Sequence, residues 1–202
     1  VDATRTATPA NGGEVLLRRL GRWRKLLEVG QRTTLSEMEL RGLLGELWFL
    51  ERVAIKRLGL DAGVQSWVGP LDAPQDFIVG EDVFEIKTCI PAAQGVSIAS
   101  LAQLDASPLS LVVVWLVAAG PEEAGGFSVA EFVRSLRTTM EVSPVATTEF
   151  SLRLAEAGYG DAEEYERTWF RVTHAKCFSV HEDFPRLTRA TTPLGVSDAT
   201  YT

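Results

Sequence analysis

Three acidic side chains and one lysine have the types and the spacing of a site that could hold a divalent cation against a phosphate ester. Asp76 begins a short apolar run, and Glu85 and Lys87 lie in the next apolar run, after a turn at residues 80–82. Glu46 lies upstream, among leucines at helical spacing. Magnesium prefers oxygen ligands and commonly binds through one or two carboxylates plus substrate phosphates. The pattern therefore predicts a site for metal-assisted hydrolysis of phosphodiester bonds.

Each of these side chains has a defined part in that chemistry. Two facing carboxylates, Asp76 and Glu85, repel each other unless positive charge lies between them, and Mg²⁺ or Mn²⁺ would supply it. The metal would polarise the phosphate and lower the pKa of a bound water. The backbone carbonyl of Ile86 could add a ligand. Lys87 would orient the attacking water or neutralise developing charge, and Glu46 could hold a second metal or accept a proton through water.

Plainer interpretations of the same residues stay open. Asp76 could cap a turn after Pro74, and Glu85 and Lys87 could lie on the solvent face of an edge strand. Glu46 could belong to a surface ion pair, although its neighbours at helical spacing are apolar and a free charge is unfavourable there. A purely structural domain is therefore one alternative to an enzyme.

A β-hairpin must position the acids, because side chains alternate between the two faces along a strand. The runs at residues 76–79 and 83–89 predict its strands. A two-residue turn at Gly80 and Glu81 would set Asp76 opposite Glu85, with Lys87 on the same face, whereas an odd-length turn would separate the acids. The residues expected on the core face are Phe77, Val79, Phe84 and Ile86.

Periodic patterns predict the elements around this hairpin. Helices are expected at residues 14–29, 36–58, 128–140 and 147–157, with a helical turn at 101–104. Ser36 and Glu39 form a capping box at the start of the second helix, and Gly59 suits a left-handed cap at its end. Strands are expected at residues 64–68, 96–98 and 109–117, followed by a second hairpin from residues 168–172 and 176–180.

Length and composition predict one domain at residues 14–182, between a disordered arm at 1–13 and a weakly structured tail at 183–202. No apolar run reaches the roughly 18 residues of a membrane helix, so no membrane contact is expected. Cys89 and Cys177 are far apart and form no Cys-x-x-Cys pair. Free thiols are typical of a reducing compartment, so a cytoplasmic location is expected.

The net charge of −7 is unusual for a freestanding DNA-binding protein, which normally carries a basic footprint. One basic stretch, residues 18–32, could meet phosphates, although a solvated helix face is the commoner meaning of such a run. We therefore expect a homodimer, or a partner subunit that recognises or opens DNA.

Other chemistries have less support in the sequence. His174 and His181 have no acidic cluster with metal-ligand spacing beside them, which argues against a zinc site. The chain has no phosphate-binding loop, dinucleotide fingerprint or nucleophile elbow. The five tryptophans lie in periodic segments and are expected in the core rather than on a base-stacking surface.

The order of these elements resembles that of the PD-(D/E)XK nuclease superfamily, which includes restriction endonucleases, recombination exonucleases and repair nicking enzymes. The matching pattern is a helix with Glu46, a strand, a strand with Asp76 and a strand with Glu85-x-Lys87, across roughly residues 36–117. The stretches GLLGEL (42–47), APQDF (73–77) and GVSD (195–198) are similar to prokaryotic members associated with restriction and phage-defence genes.

The resemblance implies an α/β fold, a restriction-endonuclease-like core whose mixed central β-sheet is flanked by helices. It implies a Mg²⁺-dependent endonuclease acting on double-stranded DNA in restriction or phage defence. Asp76, Glu85 and Lys87 take the metal and catalytic positions and Glu46 is the helix acid. A catalytically silent subunit that binds DNA or protein in a defence complex is the alternative.

Two departures from the family pattern stand out. Gln75 separates Pro74 from Asp76, and this proline makes no metal contact in the family. The Gln-x-x-x-Tyr element of exonuclease-like members is missing, because Ser107 lies four residues after Gln103. Gln103 remains a candidate accessory residue, since it follows the catalytic strand.

Overall fold

The structure is a computed structural model that describes residues 34–93, 95–98, 100–181 and 183–185. The predicted arm at residues 1–13, the helix at 14–29, the basic stretch and most of the C-terminal tail lie outside these residues. The described part has the predicted α/β architecture, a five-stranded mixed sheet with helices packed against it. None of its helices has the length and apolar character needed to cross a membrane.

The first described helix, α1 (Glu37–Phe49), carries the acid that the sequence placed in the site. Its capping box is confirmed, because the Ser36 hydroxyl accepts from the Glu39 amide while the Glu39 carboxylate accepts from the Ser36 amide at 2.8 Å. The helix continues through a π-helical segment, Leu50–Ala54, into α2, Ile55–Leu58. Gly59 ends it at φ +82° and ψ 177°, a glycine conformation other than the left-handed helical one predicted.

The prediction of a strand at residues 64–68 is wrong, because residues 60–65 form the helix α3, Leu60–Gln65. Val64 and Trp67 are both fully buried. They lie three residues apart, so their burial follows a helical turn rather than the alternation of a strand. Trp67 makes only an isolated bridge to Phe77. A 3-10 turn, Gly69–Leu71, follows.

The sheet has the strand order β1-β2-β3-β5-β4. The strands are β1 (Phe77–Val79), β2 (Asp82–Cys89), β3 (Leu109–Ala118), β4 (Phe127–Ser128) and β5 (Trp169–Val180). β1 and β2 are antiparallel and Val79 pairs with Asp82, which confirms the hairpin and its two-residue turn. β2 and β3 are parallel, and the remaining neighbours are antiparallel.

Two other strand predictions are wrong. The expected second hairpin is one continuous strand of twelve residues, β5, because residues 174 and 175 also pair with β3. Its polar middle faces solvent instead of turning the chain, and a register shift beside Trp115 accommodates the extra residue. Residues 96–98 form no strand; Ile98 packs against the sheet as part of a covering segment that includes the 3-10 turn Leu101–Leu104.

The later helices are α4 (Val129–Met140), α5 (Pro144–Glu156) and α6 (Glu164–Arg167). α4 agrees with its prediction. α5 begins at Pro144 rather than residue 147, because Ser143 caps it through the Ala146 amide and a proline is favourable at the first helical position.

The sheet buries its two faces differently. The helix-covered face contains Phe77, Val79, Phe84 and Ile86, each at most 7% exposed, which confirms the predicted core face of the hairpin. On the other face, a segment at residues 95–98 and 100–106 covers a smaller apolar cluster: Ile98, Leu104, Leu109, Leu111, Val113 and Val180. Side chains at odd-numbered positions of β2 project to this second face, so Glu85 and Lys87 lie there.

A glycine sets how closely α1 approaches the sheet. A Cβ atom added at Gly45 would overlap Cγ2 of Thr88 on β2 and lie 3.5 Å from Cγ2 of Ile86. Glu46 is the next residue of the helix, so this close contact also sets how near its carboxylate lies to the end of the hairpin.

Replacing Gly45 with alanine is expected to lower the free energy of unfolding by about 1–3 kcal/mol, because the added methyl group overpacks the contact with Thr88. Denaturant unfolding followed by circular dichroism measures this change. Gly42→Ala is the matched control, since its Cβ would meet nothing within 4 Å. That variant should be stabilised by up to about 1 kcal/mol, because alanine is the better helix former.

Thr88→Ser removes the overlapped Cγ2 atom and should restore most of the stability that Gly45→Ala loses. A loss that persists unchanged in the double variant would show that another contact limits the approach of α1.

Candidate active site

The four predicted residues lie near the start of β1, where β2 continues past the last residue that pairs with β1. Asp76 directly precedes β1, and its amide donates to the Phe84 carbonyl at 3.1 Å. Its Oδ2 accepts a hydrogen bond from the Ile86 amide at 2.7 Å. Because the N–H and C=O of one strand residue point to the same side, the Ile86 carbonyl also points toward this edge.

The Glu85 carboxylate is the most buried charged group of the site, at 0% exposure. Its Oε1 lies 2.8 Å from Nζ of Lys87, whose side chain is 17% exposed. This contact is an ion pair of poor hydrogen-bond geometry, and neither carboxylate oxygen receives a well-directed hydrogen bond from the part of the chain described. Burying a carboxylate without hydrogen bonds is costly unless positive charge compensates it.

Glu46 reaches the same point from the helix side of the sheet. Its Oε2 accepts a hydrogen bond from Nε1 of Trp67 at 2.6 Å. A Cβ atom placed on Gly69 would lie 2.9 Å from Asp76 Oδ1 and 3.5 Å from Glu46 Oε2, so these two carboxylates border one small space. The amide of Gly69 also donates to the Asp76 carbonyl at 3.0 Å, which fixes the loop against the acid.

Burial raises the pKa of all three acids, and repulsion from neighbouring carboxylates adds to the shift at Glu85 and Glu46. Burial raises the pKa of Glu85 to about 8, and the negative charge of Asp76 adds to the effect. Burial likewise raises the pKa of Asp76, and it raises the pKa of Glu46 well above the usual value, again with a contribution from Asp76. Lys87 acts in the opposite direction on each acid but does not cancel the shift. Each acid therefore keeps its proton to a higher pH than an exposed carboxyl group does.

The donors of this cluster fit a hard divalent cation with water ligands. Glu85 is buried with an oxygen that lacks a hydrogen-bond donor, and Asp76 and Glu46 present further carboxylate oxygens nearby. Within residues 34–185, as far as they are described, no three Asp, Glu, His or Cys side chains lie close enough together to hold a metal ion by themselves. Mg²⁺ suits an open site of this kind, since it usually keeps several waters.

Two residues that orient the site were not identified from the sequence. Trp67 was assigned to the core, and it is buried, but its indole also holds Glu46. Arg153 of α5 is 5% exposed and donates from Nε to the Trp67 carbonyl at 2.7 Å. It also donates to the Gln65 carbonyl at 3.3 Å and forms an ion pair with Glu149. A chain of hydrogen bonds thus runs from α5 through the Trp67 backbone and ring to Glu46.

The sequence carries only weak signals for these supports. Glu149 and Arg153 have the spacing of an ordinary ion pair on a helix surface. Nothing in that spacing indicates a contact with a residue 86 positions earlier. The indole of a buried tryptophan does need an acceptor, which is the one signal that pointed to a polar neighbour for Trp67.

Gln103 lies half-buried in the 3-10 turn of the segment that covers the second sheet face. The side chain of Gln75 donates to the Ala102 carbonyl at 2.7 Å, so this turn is tied to the residue before Asp76. The arrangement places Gln103 in a segment next to the acids. Its accessory role stays a prediction.

Comparison with known proteins agrees with the superfamily and the fold class predicted from the sequence. The family model described as "Putative PD-(D/E)XK family member, (DUF4420)" matches residues 1–202. No curated protein and no solved structure gave a significant match. The match spans the helix, the hairpin and the strands that carry the four site residues.

The raised pKa of Glu85 gives a prediction for the stability of the metal-free protein. In the unfolded chain this acid ionises near its ordinary pKa, whereas in the folded protein it stays protonated up to about pH 8. The contribution of this group to the free energy of unfolding is therefore fully present below the ordinary pKa. It is lost as pH rises toward 8, by up to about 1.4 kcal/mol per pH unit. Urea unfolding in EDTA at several pH values between 4.5 and 8 measures the slope.

Glu85→Gln should flatten this pH dependence, and Glu81→Gln, at an exposed position of the hairpin turn, is the matched control. Equal slopes for the wild type and Glu85→Gln would contradict the assignment to this carboxyl group.

Trp67→Phe tests the indole that holds Glu46, because it removes the N–H donor while leaving an aromatic ring in place. We expect the free energy of unfolding to fall by about 1–3 kcal/mol, the usual cost of leaving a buried acceptor unpaired. Trp48→Phe is the control, since its indole makes no hydrogen bond with any described residue and it lies on the same helix as Glu46.

A double-mutant cycle with Glu46→Met, which removes the acceptor, isolates the contact from the change in ring size. If Trp67→Phe costs as much in the Glu46→Met background as in the wild type, the two side chains are not coupled and the hydrogen bond is unimportant.

Proposed function

Because the chain belongs to the PD-(D/E)XK family DUF4420, we propose that it is a Mg²⁺-dependent nuclease that hydrolyses phosphodiester bonds of DNA. One observation carries the proposal. The fully buried Glu85 carboxylate has no well-directed hydrogen bond in the described structure and lies beside Lys87 and two further acids. Such a cluster is unfavourable unless a cation or protons compensate its charge.

Asp76 and Glu85 would hold the metal, with the Ile86 carbonyl at the same edge and Glu46 on the helix side. A bound Mg²⁺ would polarise the phosphate and lower the pKa of a coordinated water. Because burial favours the protonated form of Glu85, this carboxyl must release a proton to act as a ligand, and metal affinity should therefore rise with pH.

Lys87 would stabilise charge in the reaction. Its ammonium lies 2.8 Å from Glu85 Oε1 while part of the side chain stays exposed. From there it can donate to a phosphate oxygen or to the attacking water, a contribution of the electrostatic kind that is often the largest single term in catalysis. Glu46 is the candidate acceptor of a proton through water, and its hydrogen bond with Trp67 fixes the carboxylate for that role.

Double-stranded DNA is the proposed substrate, and restriction or phage defence is the proposed setting. The net charge of −7 supports the further proposal that a second copy or a partner subunit assists DNA binding. Manganese is expected to substitute for magnesium, because the donors are oxygen atoms.

A catalytically silent subunit that keeps the nuclease fold is the second candidate. The direct ion pair between Lys87 and Glu85 favours it, because the lysine partly neutralises the acid that the metal would need. In that case the protein would bind DNA or a protein partner without cutting DNA.

Cleavage of supercoiled plasmid DNA tests the nuclease. The wild type should cut in Mg²⁺ or Mn²⁺ and not in EDTA, while Asp76→Asn, Glu85→Gln and Lys87→Gln should each lose at least about 100-fold in rate. Glu81→Gln and Lys56→Gln make the same charge changes at exposed positions away from the cluster, and both should cut like the wild type.

Equal cutting by the site variants would point to a contaminating activity and overturn the proposal. Calorimetric titration separates the two candidates. If Glu85→Gln loses both metal binding and cleavage, the result supports the enzyme. If the protein binds DNA without metal, does not cut it, and the site variants bind equally well, the result supports the silent subunit.

A further inference from the structure

A second feature of the sheet face that carries Glu85 and Lys87 lies on β5, beyond the covering segment. Lys87 of β2 pairs with Val113 of β3, and Val113 pairs with Lys176 of β5. Residues that are opposite each other on neighbouring strands project to the same face. Lys87 and Lys176 therefore lie in one row across the sheet, two strand spacings or about 10 Å apart at their backbones.

Aromatic side chains lie next to Lys176 in the neighbouring rows. Trp115 pairs with His174, and their rings stack with centroids 4.1 Å apart and planes 15° apart. Nζ of Lys176 lies 5.9 Å from the centroid of the Trp115 ring. Phe178, in the row of Glu85, is 41% exposed. We call these four side chains, Trp115, His174, Lys176 and Phe178, the β5 patch.

Exposure and charge distinguish the β5 patch from a core. His174 and Lys176 are exposed, and Trp115 is only half-buried although the sequence predicted it in the core. Among the described residues, no carboxylate forms an ion pair with Lys176 or His174. His174 contacts the hydroxyl of Thr173 through Nδ1 at 3.1 Å, and its stacked side chain is exposed.

We propose that the β5 patch binds a strand of locally opened DNA that continues from the carboxylate cluster, with Lys176 on a backbone phosphate and the His174–Trp115 stack against an adjacent unpaired base. This inference rests on the proposed nuclease function and adds the residues that hold the substrate. The patch begins in the row of Lys87, but Val113 between the two lysines is only 4% exposed. A strand whose phosphate meets Lys87 would therefore pass beside the covering segment to reach the patch.

The chemistry of the patch favours a nucleic acid over an acidic peptide. Proteins that follow a nucleic-acid strand combine cationic side chains for the phosphates with aromatic rings for the bases. Charge complementarity alone would suit any polyanion. An exposed imidazole stacked on an indole adds a flat apolar surface, which bases can use and carboxylate side chains cannot.

DNA binding measured by fluorescence anisotropy in EDTA tests the patch, since no metal-dependent cleavage can occur there. Lys176→Gln should weaken binding of a labelled single strand about 3- to 10-fold near 0.1 M salt and should reduce the salt slope by roughly 0.7, the value for one phosphate contact with a single strand. Lys56→Gln removes the same charge from an exposed position on α2 and should change neither quantity.

His174→Ala should weaken binding about 5- to 10-fold while leaving the salt slope unchanged, because stacking on a base releases no counterions. This side chain is exposed, so the substitution leaves the core intact. If this variant has a smaller salt slope but an unchanged affinity for DNA, the stacking role is contradicted.

The patch proposal is overturned if Lys176→Gln behaves like Lys56→Gln, or if the wild type binds no DNA. It is also overturned if poly-glutamate binds as tightly as DNA and Lys176→Gln weakens both equally, since the patch would then be a general anion surface. The nuclease proposal fails separately: absence of cleavage together with a Lys176-dependent affinity for DNA would leave the patch standing without the enzyme.

Discussion

The repulsion between buried carboxylates at the end of the β1–β2 hairpin is the interaction on which this structure turns. Glu85 is fully buried, and burial together with the negative charge of Asp76 raises the pKa of both Glu85 and Glu46. A protein interior of low effective dielectric strengthens such repulsion, and a single lysine does not offset it. The cluster therefore needs protons or a cation, and the choice between them depends on pH and on the metal present.

The scaffold holds this unfavourable arrangement by close backbone contacts on several sides. Gly45 lets α1 lie against β2, and Gly69 leaves room for two carboxylates where a methyl group would meet Asp76 Oδ1 at 2.9 Å. Arg153 fixes the Trp67 loop from α5, and Trp67 in turn directs Glu46. Preorganised groups of this kind avoid reorganisation when a charged ligand arrives, which is why strained or costly contacts are concentrated at binding sites.

Local rules predicted much of the fold and the core of the site. The period-two alternation around Gly80 and Glu81 was sufficient for the hairpin, its register and its core face, because a short turn leaves few alternatives. The Ser36 capping box likewise depends only on residues within one helical turn. These features are encoded in neighbouring residues, so a single sequence contains them.

The sequence did not reveal features that depend on distant contacts. The spacing of Val64 and Trp67 fits a helical turn as well as a strand, and only packing against Phe77 and Phe150 decides. The polar middle of β5 resembled a turn because its pairing partner lies about sixty residues earlier on β3. The support of Glu46 by Trp67 and Arg153 is of the same kind, since no local pattern links α1, the loop after α3, and α5.

The hydrogen bond from Arg153 to the Trp67 carbonyl has a consequence for biosynthesis, because it joins residues 86 positions apart. Glu46, Asp76, Glu85 and Lys87 all leave the ribosome before Arg153 does, so a growing polypeptide contains every acid of the cluster but lacks the guanidinium that fixes its loop. Contacts with so large a separation form late in folding. A nascent or prematurely terminated chain would thus contain the acids of the hairpin, whose arrangement is local, before Arg153 can hold the Trp67 loop that directs Glu46.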